Sequence, residues 1–160
     1  MDFDDSAEEQ VFRSTVRAWL DENIPSELDL DRCDHNRDLK PYRDWQRRKR
    51  ADGWSCITWP ESLGGRGADA IQQVIWSQEE GAHAKLNTPF IIGQGMAGAT
   101  LMMHATPEIQ QRYLGPMASG EEIWCQLFSE PAAGSDLAGI RCRGEIDGDE
   151  LVVNGSKIWT

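Results

Sequence analysis

The chain has 160 residues, with 39% apolar and 27% charged side chains, which suits one folded core and excludes a disordered class. Its 16 basic and 27 acidic residues leave a net charge of −11, which argues against nucleic acid or an anionic membrane as a general partner. Cys33, Cys56, Cys125 and Cys142 form no C-x-x-C pair and no His is spaced as their partner, so no metal site is expected. The acidic start and the lack of a membrane-length apolar run point to a cytoplasmic protein with reduced thiols.

Ser6-Ala7-Glu8-Glu9 is a capping box that opens a helix. Phe12, Val16, Trp19 and Leu20 give that helix one apolar stripe, and Pro25 follows its end. Residues 26–38 read as a polar loop, and Asp34-His35-Asn36-Arg37-Asp38 as solvated surface rather than a ligand set. Pro41 opens a second helix with Tyr42 and Trp45 on one face. Its end at Arg47-Arg48-Lys49-Arg50, with Gly53 just beyond, complements the helix dipole; a phosphate or partner patch is the alternative. Gly53 to Gly67 holds two Trp, a Pro and several Gly, and reads as a structured crossing. Ala68 to Glu80 is helical, with Ile71, Val74 and Ile75 as its apolar face and Gln72, Gln73 and Gln78 turned to water or another subunit. Glu79 and Glu80 are expected at the helix surface or in helix packing.

Asn87-Thr88-Pro89 is expected to break the chain. Gly93-Gln94-Gly95-Met96-Ala97-Gly98 fits G-x-G-x-x-G, but only the short Phe90-Ile91-Ile92 precedes it. No acidic residue stands at a strand end some 20 positions on, as a dinucleotide site requires. A helix whose Gly and Ala face permits close packing is the better reading, with His104 near its C-terminus. Thr106-Pro107-Glu108 starts the next helix, with Ile109, Tyr113 and Leu114 as its face and Gly115-Pro116 as its end.

A strand is expected over 123–128, ended by Pro131, with a tight turn at Gly134, Ser135 and Asp136. A loop at a strand end is a common place to hold a ligand. Alternation over 140–146, the turn signal Asp147-Gly148-Asp149 and the return Leu151-Val152-Val153-Asn154 form a hairpin. Asn154-Gly155 is a further turn, and Lys157-Ile158-Trp159-Thr160 a further strand. The fold class is therefore α+β: an all-α bundle over 1–121, then the first strands of an antiparallel β-barrel or sandwich over 122–160.

Four stretches resemble, in order, the acyl-CoA dehydrogenase family. They are the crossing with Gly53-Trp54 and Gly64-Gly65-Arg66-Gly67, then Thr106-Pro107-Glu108 with Tyr113-Leu114, then Trp124 through Asp136, then Val153 through Thr160. The resemblance implies an N-terminal helical domain and the opening of a middle β-domain, with a C-terminal helical domain lying outside this chain. It implies FAD as cofactor, an acyl-CoA thioester as substrate, electron-transfer flavoprotein or another electron acceptor as partner, homo- or hetero-oligomers, and a place in fatty acid β-oxidation. By the same resemblance Gln126, Leu127, Phe128, Ser129, Gly134 and Ser135 lie along the flavin, with the Ser129 hydroxyl toward the ring. Ser135 also touches the CoA portion of the substrate, and Trp159 and Thr160 begin a second flavin-contacting segment. Gln126 stands where some members carry an aromatic, and Ala132 where Gly is frequent. The family's base, a Glu of the C-terminal domain, is expected beyond residue 160, so these residues alone are expected to be inactive; Glu130 reads as structural. The alternatives are a non-catalytic subunit of the same fold that needs a partner chain, or a related acyl-CoA oxidase or flavin monooxygenase.

Overall fold

A computed structural model describes residues 4–25 and 33–160. Part of the polar loop read over 26–38 lies outside the described residues. The chain divides into two compact units, Met1–Trp124 and Cys125–Thr160.

The first unit is helical. α1 (Ala7–Asn23) begins at the expected capping box: the Ser6 hydroxyl accepts from the Glu9 amide, and the Glu9 carboxylate accepts from the Ser6 amide at 2.6 Å. α2 (Lys40–Ala51) carries Pro41 in its first turn and Arg48, Lys49 and Arg50 in its last. α3 (Ala70–Glu80) has a second capping box, Asp69 with Gln72, so Gln72 closes the helix start. α3 buries Ile75, Trp76 and Glu80 and leaves Ile71 and Val74 half exposed. The expected face is thus rotated, because α3 packs against α1 through Trp76 and the Arg13 and Arg17 pairs to Glu79 at 2.7 Å.

The expected break at Asn87-Thr88-Pro89 does not occur. A 3-10 stretch (Gly81–Phe90) contains Pro89 and runs on into a π-helical stretch (Ile92–Ala97) and α4 (Gly98–His104). Pro89 lacks a donor, and the 3-10 and π windings accommodate that where a regular α-helix would not. α5 (Pro107–Ser119) likewise passes through Gly115-Pro116 and ends at Gly120, whose φ of 76° needs a glycine. It buries Leu114, Met117 and Ala118, while Ile109 stays exposed.

Two apolar clusters hold this unit together. In one, Trp54 stacks on Trp76 at 4.9 Å among Val16, Leu20, Tyr42 and Phe90. The other gathers Trp59, Leu114, Met117 and Ala118. The crossing between α2 and α3 joins them: Arg66 and Ala68 both donate backbone bonds to Ile57, and the Arg66 guanidinium lies 3.6 Å from the Trp54 ring centroid. Buried Gln46 on α2 donates to Ser55 of the crossing and to the Ala118 carbonyl of α5. Gly98 of the G-x-G-x-x-G stretch faces Trp59 so closely that a Cβ there would come within 2.3 Å of the indole.

The second unit is an antiparallel hairpin with a long leading loop. β1 (Arg143–Asp147) pairs with β2 (Glu150–Asn154) in the register Ile146 opposite Leu151, and Gly148 opens the two-residue turn at φ 61°. Gly144, Ile146, Leu151 and Val153 share one face of the hairpin by that register. Residues 123–128 and 157–160 form no ladder, contrary to the expected strands. Among the described residues no strand lies beside them, and a ladder needs such a neighbour. The expected tight turn is also displaced: it is closed by Glu130 and Ala133, which exchange two backbone bonds around Pro131-Ala132. Ala132 has no positive φ there, so the turn forms without glycine.

Candidate functional site

The site residues expected from the sequence lie within the second unit. Gln126 and Ser129 are half-buried, whereas Leu127 and Phe128 are more than half exposed. Gly134 and Ser135 follow the turn and are exposed as well. Trp159 is 89% exposed at φ 61°, and Thr160 is exposed beside it. A bulky residue in left-handed backbone is uncommon.

The structure brings the end of the first segment to the start of the second. The Ile158 amide donates to the Ser129 carbonyl at 3.0 Å. The Lys157 ammonium donates to the Phe128 carbonyl at 3.1 Å and to Glu130 Oε1 at 2.8 Å. Ser135 makes no hydrogen bond among the described residues, so its side chain stays available. The amides of Gln126, Leu127, Phe128 and Ser129 likewise find no acceptor among the described residues.

Glu130 organises this arrangement. Its carboxylate is buried and accepts from the Arg141 amide at 2.7 Å, the Cys142 amide at 2.9 Å and Lys157. Arg141 and Cys142 immediately precede β1, and Lys157 follows β2 by three residues. One carboxylate thus gathers the loop and both ends of the hairpin. This also explains why the ladder begins at Arg143 and not at Ile140: the two preceding amides are turned to the carboxylate. The Lys157 ammonium first, and then the two amides, hold the Glu130 carboxyl down at about 2, against an ordinary value of 4.5. So acidic a carboxylate is a poor proton acceptor near neutral pH, which fits a structural role and not that of a base. Lys157 lies inside the Val153 to Thr160 stretch that carries the resemblance, but its partner is 27 positions away and no local spacing reveals it.

The first unit carries a cleft of about 350 Å³ lined in part by Trp54, Cys56, Trp59, Lys49, Glu80 and Gln94. Its charges are spoken for: Lys49 pairs with Glu80 at 2.9 Å and donates to Asn87 at 2.6 Å. Burial pushes the Cys56 thiol up, away from thiolate character. Among the described residues no group of His, Cys, Asp and Glu could hold a metal ion, and no helix is long and apolar enough to cross a membrane.

The family model for the acyl-CoA dehydrogenase N-terminal domain matches residues 6–121. The chain is 37% identical to acyl-CoA dehydrogenase IpdE1 of Mycobacterium tuberculosis over 94% of its own length and 40% of the relative's. Among solved structures it resembles the ChsE4-ChsE5 complex from Mycobacterium tuberculosis, with a TM-score of 0.78 and 30% identity over 100% of this chain and 40% of that one. It shares the fold alone with the acyl-CoA dehydrogenase of Bacillus anthracis complexed with FAD, at a TM-score of 0.74 and 20% identity over 98% of this chain and 27% of that one. The chain thus spans about 40% of the curated relative's length. The match over most of the helical unit carries the assignment: the chain belongs to the acyl-CoA dehydrogenase family and contains its N-terminal domain.

Proposed function

We propose that the chain supplies the N-terminal helical domain and one side of the flavin site of an FAD-dependent acyl-CoA dehydrogenase. The observation that carries this reading is the junction of 126–130 with 157–158, where the two segments that the family resemblance assigns to the flavin meet. The donor set suits a flavin. An isoalloxazine edge presents carbonyl oxygens and ring nitrogens, and the amides of Gln126 to Ser129, which find no acceptor among the described residues, are donors for such acceptors. The Ser129 hydroxyl adds another donor, and exposed Trp159 offers an aromatic face.

Bound FAD would supply the two-electron redox chemistry for α,β-dehydrogenation of an acyl-CoA thioester. Gln126 to Ser129 orient the ring through their amides. Trp159 and Thr160 bound it from the second segment, and Ser135 holds the CoA portion of an acyl-CoA thioester. Glu130 keeps its charge and fixes the loop, so it does not serve as the base that removes the α-proton. Electron-transfer flavoprotein or a comparable electron acceptor would be the redox partner.

A second reading has a specific observation in its favour. One similar solved structure is a two-component complex, ChsE4-ChsE5. This chain then acts as a subunit whose flavin site a different polypeptide completes. The test is turnover of an acyl-CoA by the full-length protein with added FAD and an artificial electron acceptor. Activity from one polypeptide supports the first reading. Activity only after a second polypeptide is added supports the subunit. Neither flavin nor activity in any combination overturns both.

A further inference from the structure

We propose that Lys157 is the positioning residue of the flavin cradle, setting the spacing between its two segments; this assignment rests on the flavin reading above. Lys157 reaches the main chain of the first segment at Phe128 and the carboxylate that anchors the same loop, Glu130. Its neighbour Ile158 donates to the residue between them, Ser129. Three consecutive residues of the first segment are therefore tied to two consecutive residues of the second. Lys157 is 19% exposed and Glu130 7%, so the pair is largely shielded and its geometry is held by the fold.

The contact also ties the cradle to the hairpin. Removing the ammonium leaves the Phe128 carbonyl without its donor and Glu130 without its cation, while the Cys142 amide continues to hold Oε1 and the Arg141 amide Oε2. The hairpin then keeps its leading tie and, on the trailing side, only the Ile158–Ser129 backbone bond, so residues 157–160 loosen from 126–129 without unfolding the unit. Lys157 touches no reacting atom in this scheme. It acts through Phe128 and Glu130 on the placement of the ring donors.

The experiment compares wild type, K157M, K157Q and K157R in the full-length protein, with FAD as the probe. The readouts are the FAD dissociation constant, the visible band of bound flavin, and amide exchange at Ile158. Loss of a charge-assisted contact predicts FAD binding about tenfold to a hundredfold weaker in K157M and K157Q, with a shifted flavin band. Ile158 exchange should quicken in both, while far-UV circular dichroism stays unchanged. K157R, which keeps the cation, should recover most of the affinity. Wild-type affinity and an unchanged band in K157M overturn the assignment while leaving the flavin reading intact. Wild type that binds no FAD overturns both. If K157M fails to fold, K157Q and K157R carry the comparison, and equal FAD affinity in those two overturns the assignment.

Discussion

Lys157 and Glu130 meet at 2.8 Å although 27 residues separate them, and this pair joins the loop after Phe128 to the segment after the hairpin. It is the tie on which the arrangement of the second unit turns.

The pair gives the second unit a defined sensitivity to acid. The folded Glu130 carboxyl sits at about 2, below its ordinary 4.5, because Lys157 and two amides favour the charged form. A depressed carboxyl stabilises the fold fully above the unfolded value, and that stabilisation is lost as pH falls toward the folded one. Between about pH 4.5 and pH 2 the Arg141 and Cys142 amides should therefore lose hydrogen-exchange protection. The variant E130Q should show weaker protection at pH 7 and no such step, and a step that survives in E130Q would refute the assignment.

In the helical unit the buried pair of Lys49 and Glu80 is the costly one to split. Glu80 also accepts from the Trp45 indole at 3.1 Å, and both charged side chains are at most 6% exposed. K49M should lower the unfolding free energy by about 3–5 kcal/mol, because a carboxylate remains buried without its cation. The double variant K49M/E80Q should recover part of that loss. Urea denaturation of the three proteins measures it, and additive losses would contradict the coupling.

The G-x-G-x-x-G stretch yields opposite outcomes at two of its glycines. Gly98 abuts the Trp59 indole, so G98A should cost about 1–3 kcal/mol by overpacking. A Cβ at Gly95 would meet nothing within 4 Å, so G95A should be neutral or stabilising by up to about 1 kcal/mol. Thermal melts of both variants decide this. Equal destabilisation would show that packing against Trp59 is not what requires glycine at residue 98.

Arg13 and Arg17 converge on Glu79, joining α1 to α3. The charged form of Glu79 is favoured by Arg17 first and then by Arg13, which holds its carboxyl below the usual range. E79Q should lower the thermal midpoint more in low salt than at about 1 M salt, where screening is strong. A midpoint shift independent of salt would point to lost packing instead.

Local signals were legible where chemistry and structure share a neighbourhood. Ser6 with Glu9 announced α1, Pro107 announced α5, and Asp147-Gly148 announced the hairpin. The misses came from long-range packing. Pro89 and Pro116 read as breaks, yet the chain stays helical through both, Pro89 within 3-10 winding. Ile71 and Val74 matched an apolar period, but α1 lies against the Trp76 side of α3. At the site, the segments were visible as motifs. Their junction was not, because it depends on an ion pair between residues distant in sequence.

A crystal structure of the full-length protein with FAD tests the proposed cradle at its centre. The isoalloxazine should lie along Gln126 to Ser129, within hydrogen-bonding reach of their amides, with Trp159 against the ring. FAD bound instead at Gly93 to Gly98 of the helical unit, or a protein that takes up no FAD, would refute the cradle.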